Sequence, residues 1–306
     1  MMSLMTQKSI PAKKPLSDWF RRNVAKLVVA PTFGLIIFFV YGFIAWTGYV
    51  SFTKSKMLPT YSFEGFYQYI RLWKMTPWNV AMENLLVFGS LFILIAIVLG
   101  CLLAIALDQK VRAEGVLRTV YLYPMAISFI ITGTAWKWIL NPGLGIQNLV
   151  QSWGWESFSF DWLINSEMAI YTLVIAAVWQ SSGFVMAMFL AGLRGVDNEV
   201  IKAAQLDGAT GITIYRRIII PLMRPVFLSA FVVLAHLAIK AYDLVIALTG
   251  GGPGRATELP ATFMYSYTFT RNEMGVGASS AIIMLIMIFS IIVHYVYSEL
   301  KSGENQ

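Results

Sequence analysis

Charge, cysteine and histidine are all scarce in this chain of 306 residues. Charged residues make up 13% of it, about half the share of a typical soluble domain, and a hydrophobic share of 58% excludes a soluble globular protein. The single cysteine, Cys101, excludes an intrachain disulfide. Only two histidines, His236 and His294, and the lack of a Walker phosphate loop argue against a metal enzyme or an ATPase.

Long apolar runs fill most of the chain instead. A transmembrane helix needs about 20 predominantly apolar residues, and it satisfies its own backbone hydrogen bonds inside lipid. The sequence therefore predicts an all-α membrane protein with six transmembrane helices embedded in a lipid bilayer. The predicted spans are 27–50, 84–107, 117–140, 169–193, 222–248 and 276–297.

The distribution of lysine and arginine predicts the orientation of these spans. With a cytoplasmic N-terminus, the inner segments hold fifteen basic residues and the outer segments six, which is the expected bias. Both termini are therefore expected in the cytoplasm, with a cytoplasmic N-terminal segment 1–26, a six-span domain 27–297 and a cytoplasmic tail 298–306. The net charge of +7 reports this topology and requires no nucleic-acid partner.

The inner segment 194–221 is partly polar and is predicted to form two short helices. Asp197 or Asn198 can cap the first helix, and Gly208 can end it. A second helix is expected from Thr210 to Pro221, continuous with the next span. From the residues alone the segment is either an amphipathic loop on lipid headgroups or an element that docks into a cytoplasmic partner.

The same segment resembles the signature of the membrane subunits of bacterial ABC importers. That signature reads Glu-Ala-Ala, three residues, Gly, nine residues, Ile, one residue, Leu-Pro. The positions that match it, with Lys202 in place of glutamate and Ile220 in place of leucine, are Lys202, Ala203, Ala204, Gly208, Ile218, Ile220 and Pro221. "NLLVFGSLFILIAIVLGCLLAIAL", "VLRTVYLYPMAISFIITGTAWKWILNPGLGIQNLV" and "YDLVIALTGGGPGRATE" extend the resemblance to carbohydrate permeases of the maltose and glycerol-phosphate type.

This resemblance implies a type I ABC-importer-like permease fold with a cytoplasmic coupling helix, in the bacterial inner membrane. Its implied partners are a second, homologous permease, two ATP-binding subunits and an extracytoplasmic sugar-binding protein. ATP and Mg²⁺ would be bound by the ATPase partner, and no cofactor by this chain. The residues expected to couple to the ATPase are Lys202, Ala203, Ala204, Asp207, Gly208, Ile218 and Pro221.

Polar residues within the fourth and fifth predicted spans are candidates for the substrate path. Polar groups at membrane depth usually face a cavity or a partner, and a sugar needs aromatic faces together with hydrogen-bonding groups. The candidates on this ground are Trp179, Gln180, Ser181, His236, Lys240, Tyr242 and Asp243. The resemblance implies sugar contacts on the same two spans and adds Phe184 beside Gln180 and Ser181. Alternatively, Lys240 and Asp243 form an i, i+3 ion pair, His236 is a packing residue, and Gln180 and Ser181 join helices.

The sequence thus predicts a permease subunit of an ATP-driven sugar importer that hydrolyses nothing itself. A non-sugar or acidic-sugar solute remains an alternative, because an unpaired Lys240 would suit an acidic sugar. An ion-coupled secondary transporter is a further alternative, although it would need ion-coupling charges and usually inverted repeats. The outer "LTGGGPG" is a turn by its glycines, and the resemblance implies a gate or a binding-protein contact there.

Overall fold

The computed structural model describes residues 16–109 and 112–303, and most of them lie in helices. Residues 1–15 of the predicted N-terminal segment, residues 110–111 of the inner turn and residues 304–306 of the tail lie outside the described residues. The chain divides into two compact units between Tyr49 and Val50.

The first unit is one apolar helical stretch. It consists of α1 (Leu16–Ile36), a π-helical turn (Ile37–Tyr41) and most of α2 (Gly42–Ser51). The stretch Asn23–Ser51 is long and apolar enough to cross a membrane, in agreement with the first predicted span. Its large apolar side chains are mostly exposed, as expected for a helix whose surface lipid or another subunit covers.

The second unit contains the remaining helices. In chain order they are α3 (Tyr67–Trp73), α4 (Thr76–Asp108), α5 (Glu114–Leu122), α6 (Phe129–Ile139), α7 (Ile146–Ser152), α8 (Ala169–Arg194), α9 (Asn198–Leu206), α10 (Gly211–Ile214), α11 (Ile220–Leu222), α12 (Arg224–Ile239), α13 (Asp243–Leu248), α14 (Pro260–Tyr265) and α15 (Met274–Gly303). The helices α4, α8 and α15 each contain a stretch that could span a membrane, which confirms the second, fourth and sixth predicted spans.

The fourth span lies at the centre of this unit. In α8, 72% of the apolar window is buried inside the protein, whereas the figure for α4 is 28%. Small residues allow the close packing, because a Cβ at Gly100 of α4 would lie 2.6 Å from Val185 Cγ1 of α8. Close approach of helices at small residues is the usual way in which spans associate in lipid.

The third and fifth spans are broken where the sequence predicts continuous helices. Between α5 and α6 the chain turns by 100°, because Pro124 lacks the N–H that a continuing helix needs and a 3₁₀ turn (Tyr123–Ala126) takes over. The fifth span ends its long helix α12 at Ile239 and resumes as α13 at Asp243. The helix before α12 does not continue straight into it either, since the axis bends by 64° at Met223.

Candidate functional site

The two broken spans meet next to α8 and enclose a cavity. At the first break, Ser128 caps α6 by accepting the backbone N–H of Ile131 at 3.4 Å. At the second break, Lys240 is the C-cap of α12 and Asp243 is the first residue of α13. Each charge therefore lies at the helix end whose dipole favours it, and both side chains are exposed on the surface of this chain.

Aromatic and polar groups share the wall of this cavity. Its lining residues are Phe88, Phe92, Phe129, Ala177, Leu237, Lys240, Ala241, Tyr242, Asp243 and Leu244. The free volume is about 50 Å³, which suffices for a few water molecules but is well below the roughly 300 Å³ at which ligand pockets begin. The cavity within this chain is therefore only part of a space that could hold a small solute.

Three of the predicted substrate residues, Lys240, Tyr242 and Asp243, lie in the cavity wall. Lys240 and Asp243 form no ion pair with each other or with any other residue in the described part of the chain. The predicted alternative, an i, i+3 ion pair between Lys240 and Asp243, is therefore wrong. That pairing requires a continuous helix, and the fifth span is interrupted between the two residues.

Gln180 and Ser181 are almost completely buried in α8, at 3% and 1% exposure. The Gln180 side chain donates its amide N–H to the carbonyl oxygen of Ile127 at 2.7 Å, and Ile127 lies in the break between α5 and α6. That break leaves carbonyl groups without helical partners, so the amide of Gln180 satisfies one of them. The Oε1 of Gln180 and the Oγ of Ser181 make no hydrogen bond to another described residue.

The other three candidates lie around this region without lining the cavity. The ring of Trp179 meets that of Trp136 edge to face, with centroids 5.9 Å apart. Phe184 is half-buried against the main core. His236 points into a separate apolar groove shared with α15 residues such as Ile288 and Ile291.

Sequence reasoning missed the aromatic wall of the cavity. Phe88 and Phe92 of α4 stack with centroids 5.6 Å apart and an angle of 6° between their planes, and Phe129 of α6 lines the same cavity. The i, i+4 spacing of the two phenylalanines predicts a shared helix face, which could have identified the pair. Phe129 gave no such signal, because its position depends on the break at Pro124.

The segment after α8 forms the second functional element. Asp197 caps α9 by accepting the N–H of Glu199 at 2.9 Å, as predicted. At the other end, Gly208 has a φ of +80°, and the N–H groups of Gly208 and Ala209 donate to the carbonyls of Gln205 and Ala204, both at 3.0 Å. This is a Schellman motif, which requires a left-handed residue that only glycine adopts without strain.

The helix α9 buries one side and exposes the other. Ala204 and, after the turn, Ile214 are buried against the main core. Leu206 and Ile212 are 89% and 82% exposed. The signature residues Lys202, Ala203, Asp207 and Pro221 are exposed as well, whereas Ile218 is half-buried.

Two ion pairs and a hydrogen bond join this segment to the α4–α5 region. Arg194, the last residue of α8, reaches Glu114 Oε1 through Nη2 at 2.6 Å and Asp108 Oδ1 through Nε at 3.9 Å. Nearby, the Gln109 amide donates to the hydroxyl of Tyr215 at 3.3 Å. These contacts connect the segment 194–221 to the end of α4 and the start of α5.

Comparisons with known proteins agree on one family. The family described as "Binding-protein-dependent transport system inner membrane component" matches residues 96–301. A probable ABC transporter permease protein of Pyrococcus horikoshii is 38% identical over 91% of this chain and 96% of that protein. The xylose/arabinose import permease protein XacH of Haloferax volcanii is 36% identical over 89% of this chain and 86% of that protein.

A solved structure supports the same fold at low identity. One chain of a bacterial ABC transporter involved in the import of the acidic polysaccharide alginate superposes with a TM-score of 0.80. The match covers 94% of this chain and 98% of that chain, with 18% sequence identity. Similarity at this level shows a shared fold and not a shared solute.

Proposed function

The chain belongs to the family of inner membrane components of binding-protein-dependent transport systems, and from this premise we propose that it is the permease subunit of an ATP-driven sugar importer. The sugar class is supported by the name of the xylose/arabinose permease, which is 36% identical over most of both chains. The chain is a transport subunit and not an enzyme. Partner subunits bind ATP and Mg²⁺ and hydrolyse the ATP, and the chain itself needs no cofactor.

The observation that carries this proposal is the cavity at the two broken spans. Its phenylalanines offer apolar faces for the C–H surface of a sugar ring, and Lys240, Tyr242 and Asp243 offer donors and acceptors for its hydroxyl groups. Trp179, Gln180, Ser181, Phe184 and His236 complete the proposed substrate path. Unwound backbone at membrane depth is tolerated where it lines such a cavity.

A second, homologous permease is part of the proposal because the cavity is small. About 50 Å³ of free volume cannot hold a monosaccharide, whereas two such walls facing each other would enclose a larger space. Oligomers commonly arrange related subunits around a common axis. The exposed apolar surface of α15, which includes Phe289, Val293 and Tyr297, is available for lipid or for this second subunit.

Coupling to ATP hydrolysis is assigned to α9 and the turn that follows it. We place this segment and both termini in the cytoplasm, on the basis of the excess of basic residues. One ATP-binding subunit would receive α9 of this chain, and the other would receive the corresponding helix of the second permease. The exposed Leu206 and Ile212 would supply apolar contacts of the kind that helix-in-groove docking uses. Lys202 carries a positive charge where the family signature has the negative charge of glutamate, so its contact on the ATPase would need the opposite charge.

Uptake by the assembled importer tests the proposal. The chain is co-expressed with its second permease, ATPase and extracytoplasmic binding protein, and the purified complex is placed in proteoliposomes. We expect saturable uptake of a neutral sugar from a panel of pentoses, hexoses and disaccharides, with ATP inside and the binding protein outside. Uptake driven by an ion gradient without ATP would contradict the proposal and favour a secondary transporter.

An importer for acidic sugars or another acidic solute is the second candidate. Lys240 favours it, because this cation lines the cavity without an ion pair to any described residue. Asp243 lines the same cavity with the opposite charge, so the pair has no net preference for an anion. Including uronic acids in the panel decides between the two candidates.

The substitution Gln180→Ala tests the break in the third span. Removing the amide leaves the Ile127 carbonyl buried without its donor, which costs about 1–3 kcal/mol, and we expect sugar uptake to fall by about tenfold. The matched control is Ile288→Ala in α15, which removes a half-buried apolar side chain that does not line the cavity.

Initial uptake rates are measured over a range of sugar concentrations and normalised to the amount of subunit in the membrane. A smaller maximal rate with an unchanged half-saturating concentration assigns Gln180 to anchoring the break, and an increased half-saturating concentration assigns it to solute contact. Equal effects of Gln180→Ala and Ile288→Ala would refute both roles and leave Gln180 as a packing residue.

A further inference from the structure

A second, larger and more polar pocket lies beyond Tyr242, at the opposite end of the fifth span from α9. Its volume is about 340 Å³, within the range of about 300–1,000 Å³ of small-molecule sites. Its wall includes the glycine turn at Gly250, Gly251 and Gly254, the charged groups of Arg255, Glu258 and Arg271, and the ring of Tyr265. We call this pocket the vestibule.

The vestibule is held in shape by hydrogen bonds. Asn84 of α4 donates its amide to the carbonyl oxygens of Arg255 and Glu258, each at 3.0 Å. The hydroxyl of Thr257 donates to the Gly252 carbonyl at 2.9 Å, and Gly250 and Gly251 have φ values of +66° and +89°. These contacts hold the backbone on either side of Arg255, and they thereby define the position of its Cα and the direction in which its side chain leaves the backbone.

A long ion pair lies in the wall of this pocket. Arg255 Nη1 and Glu258 Oε2 are paired at 3.5 Å, and neither of these two buried atoms makes a hydrogen bond to another described residue. Buried polar atoms without hydrogen bonds are costly. Burial raises the pKa of Glu258, while the guanidinium groups of Arg255 and Arg271 lower it.

The chemistry of these two atoms selects the ligand. A hydroxyl group both accepts from the arginine and donates to the carboxylate. A carboxylate ligand can pair with Arg255 but has no proton to donate to Glu258, and an ammonium ligand has no acceptor for Arg255. The ring of Tyr265, with its centroid 4.8 Å from that of Tyr242, provides an aromatic face in the same pocket.

We infer that the vestibule is a binding site for a neutral, polyhydroxylated solute such as a sugar, occupied before the solute passes Tyr242 into the cavity between the broken spans. Tyr242 is the link between the two spaces, because it lines both. This inference rests on the proposed import of sugars and adds to it a separate site outside the membrane-depth cavity.

The test uses the complete importer in proteoliposomes and a photoreactive diazirine derivative of the neutral sugar that the wild type transports. We expect the probe to label the peptide that contains Tyr265, and we expect excess neutral sugar, but not a uronic acid, to prevent this labelling. Arg255→Met and Glu258→Leu each remove one partner of the hydroxyl and should reduce both labelling and uptake by about tenfold. Glu258→Gln keeps an acceptor oxygen and should retain most of the labelling.

Further variants distinguish a solute site from a protein contact surface. Glu167→Leu removes an exposed carboxylate at the same end of the bundle and should leave labelling and uptake unchanged. Unchanged labelling in Arg255→Met and Glu258→Leu, or equal protection by a uronic acid, would overturn the inference while wild-type sugar uptake still upheld the proposed function. Loss of binding-protein association in the same two variants, with labelling intact, would also overturn it, because the pocket would then be a protein contact.

Discussion

We expect Gly208→Pro to abolish sugar uptake while the subunit still inserts into the membrane. Gly208 has a φ of +80°, and proline fixes φ near −65° and removes the N–H that Gly208 donates to the Gln205 carbonyl. Both hydrogen bonds of the Schellman motif are then lost, the last turn of α9 opens, and the chain leaves the helix in a different direction. Uptake should fall to the background of the empty vector, a loss of at least about a hundredfold.

The insertion of the spans should survive this substitution because the motif lies outside them. The amount of subunit in washed membranes is therefore measured beside uptake, together with the amount of ATPase that copurifies with it. Gly211→Ala is the matched control, since Gly211 has space around its Cβ position and no positive φ. Normal uptake by Gly208→Pro, or loss of uptake in Gly211→Ala, would remove α9 and its turn from the coupling mechanism.

The two ends of α9 were predictable because they depend on residues that are close in sequence. Asp197 caps the first turn and Gly208 ends the helix through contacts within five residues, and local side-chain chemistry determines such contacts. The exposure of Leu206 and Ile212 was not predictable in the same way. It depends on which face of α9 packs against the core, and contacts far away in sequence determine that face.

The breaks in the third and fifth spans show what hydropathy cannot report. A window of apolar residues measures the preference for lipid, and the windows over α5 to α6 and over α12 to α13 remain apolar across both breaks. The signals present were Pro124, and Lys240 and Asp243 three residues apart. The break at Pro124 involves Gln180, whose amide supplies the donor that the interrupted backbone needs, and no local pattern places Gln180 beside Ile127.

The candidate site also combines residues that the sequence predicts with residues whose positions depend on packing. Lys240, Tyr242 and Asp243 were predictable as cavity residues because charge at membrane depth needs a polar or protein environment. The same reasoning predicts Trp179 and His236, yet they face Trp136 and the α15 groove. Which side of a helix meets a cavity is a property of the packing, and α8 is surrounded by neighbours on most sides.

The second large effect is expected where α5 crosses α8, at Gly183. A Cβ at this position would lie 1.7 Å from the carbonyl oxygen of Tyr121 and 2.5 Å from its carbonyl carbon. Both are backbone atoms, so no side-chain rotation relieves the clash, and α5 would have to move away by roughly 1.5 Å or more to restore a normal contact distance. That movement would also carry Ile127 away from the amide of Gln180.

We therefore expect Gly183→Ala to destabilise the assembled importer severely, by more than about 3 kcal/mol. In an exposed helix the same exchange stabilises by up to about 1 kcal/mol, because alanine is the better helix former. Gly115→Ala in α5 provides this comparison, since its Cβ would meet no atom within 4 Å. The same chemical change should thus have opposite signs at two positions on neighbouring helices.

The measurement is the temperature at which half of the detergent-purified complex aggregates, together with the yield of complex from equal amounts of membrane. Gly115→Ala should match or exceed the wild type in both quantities, and Gly183→Ala should be recovered poorly and aggregate at a much lower temperature. If Gly183→Ala is as stable as Gly115→Ala, then α5 and α8 do not make backbone contact in the membrane. The break in the third span would then lose its support from α8, and Gln180 could not anchor it.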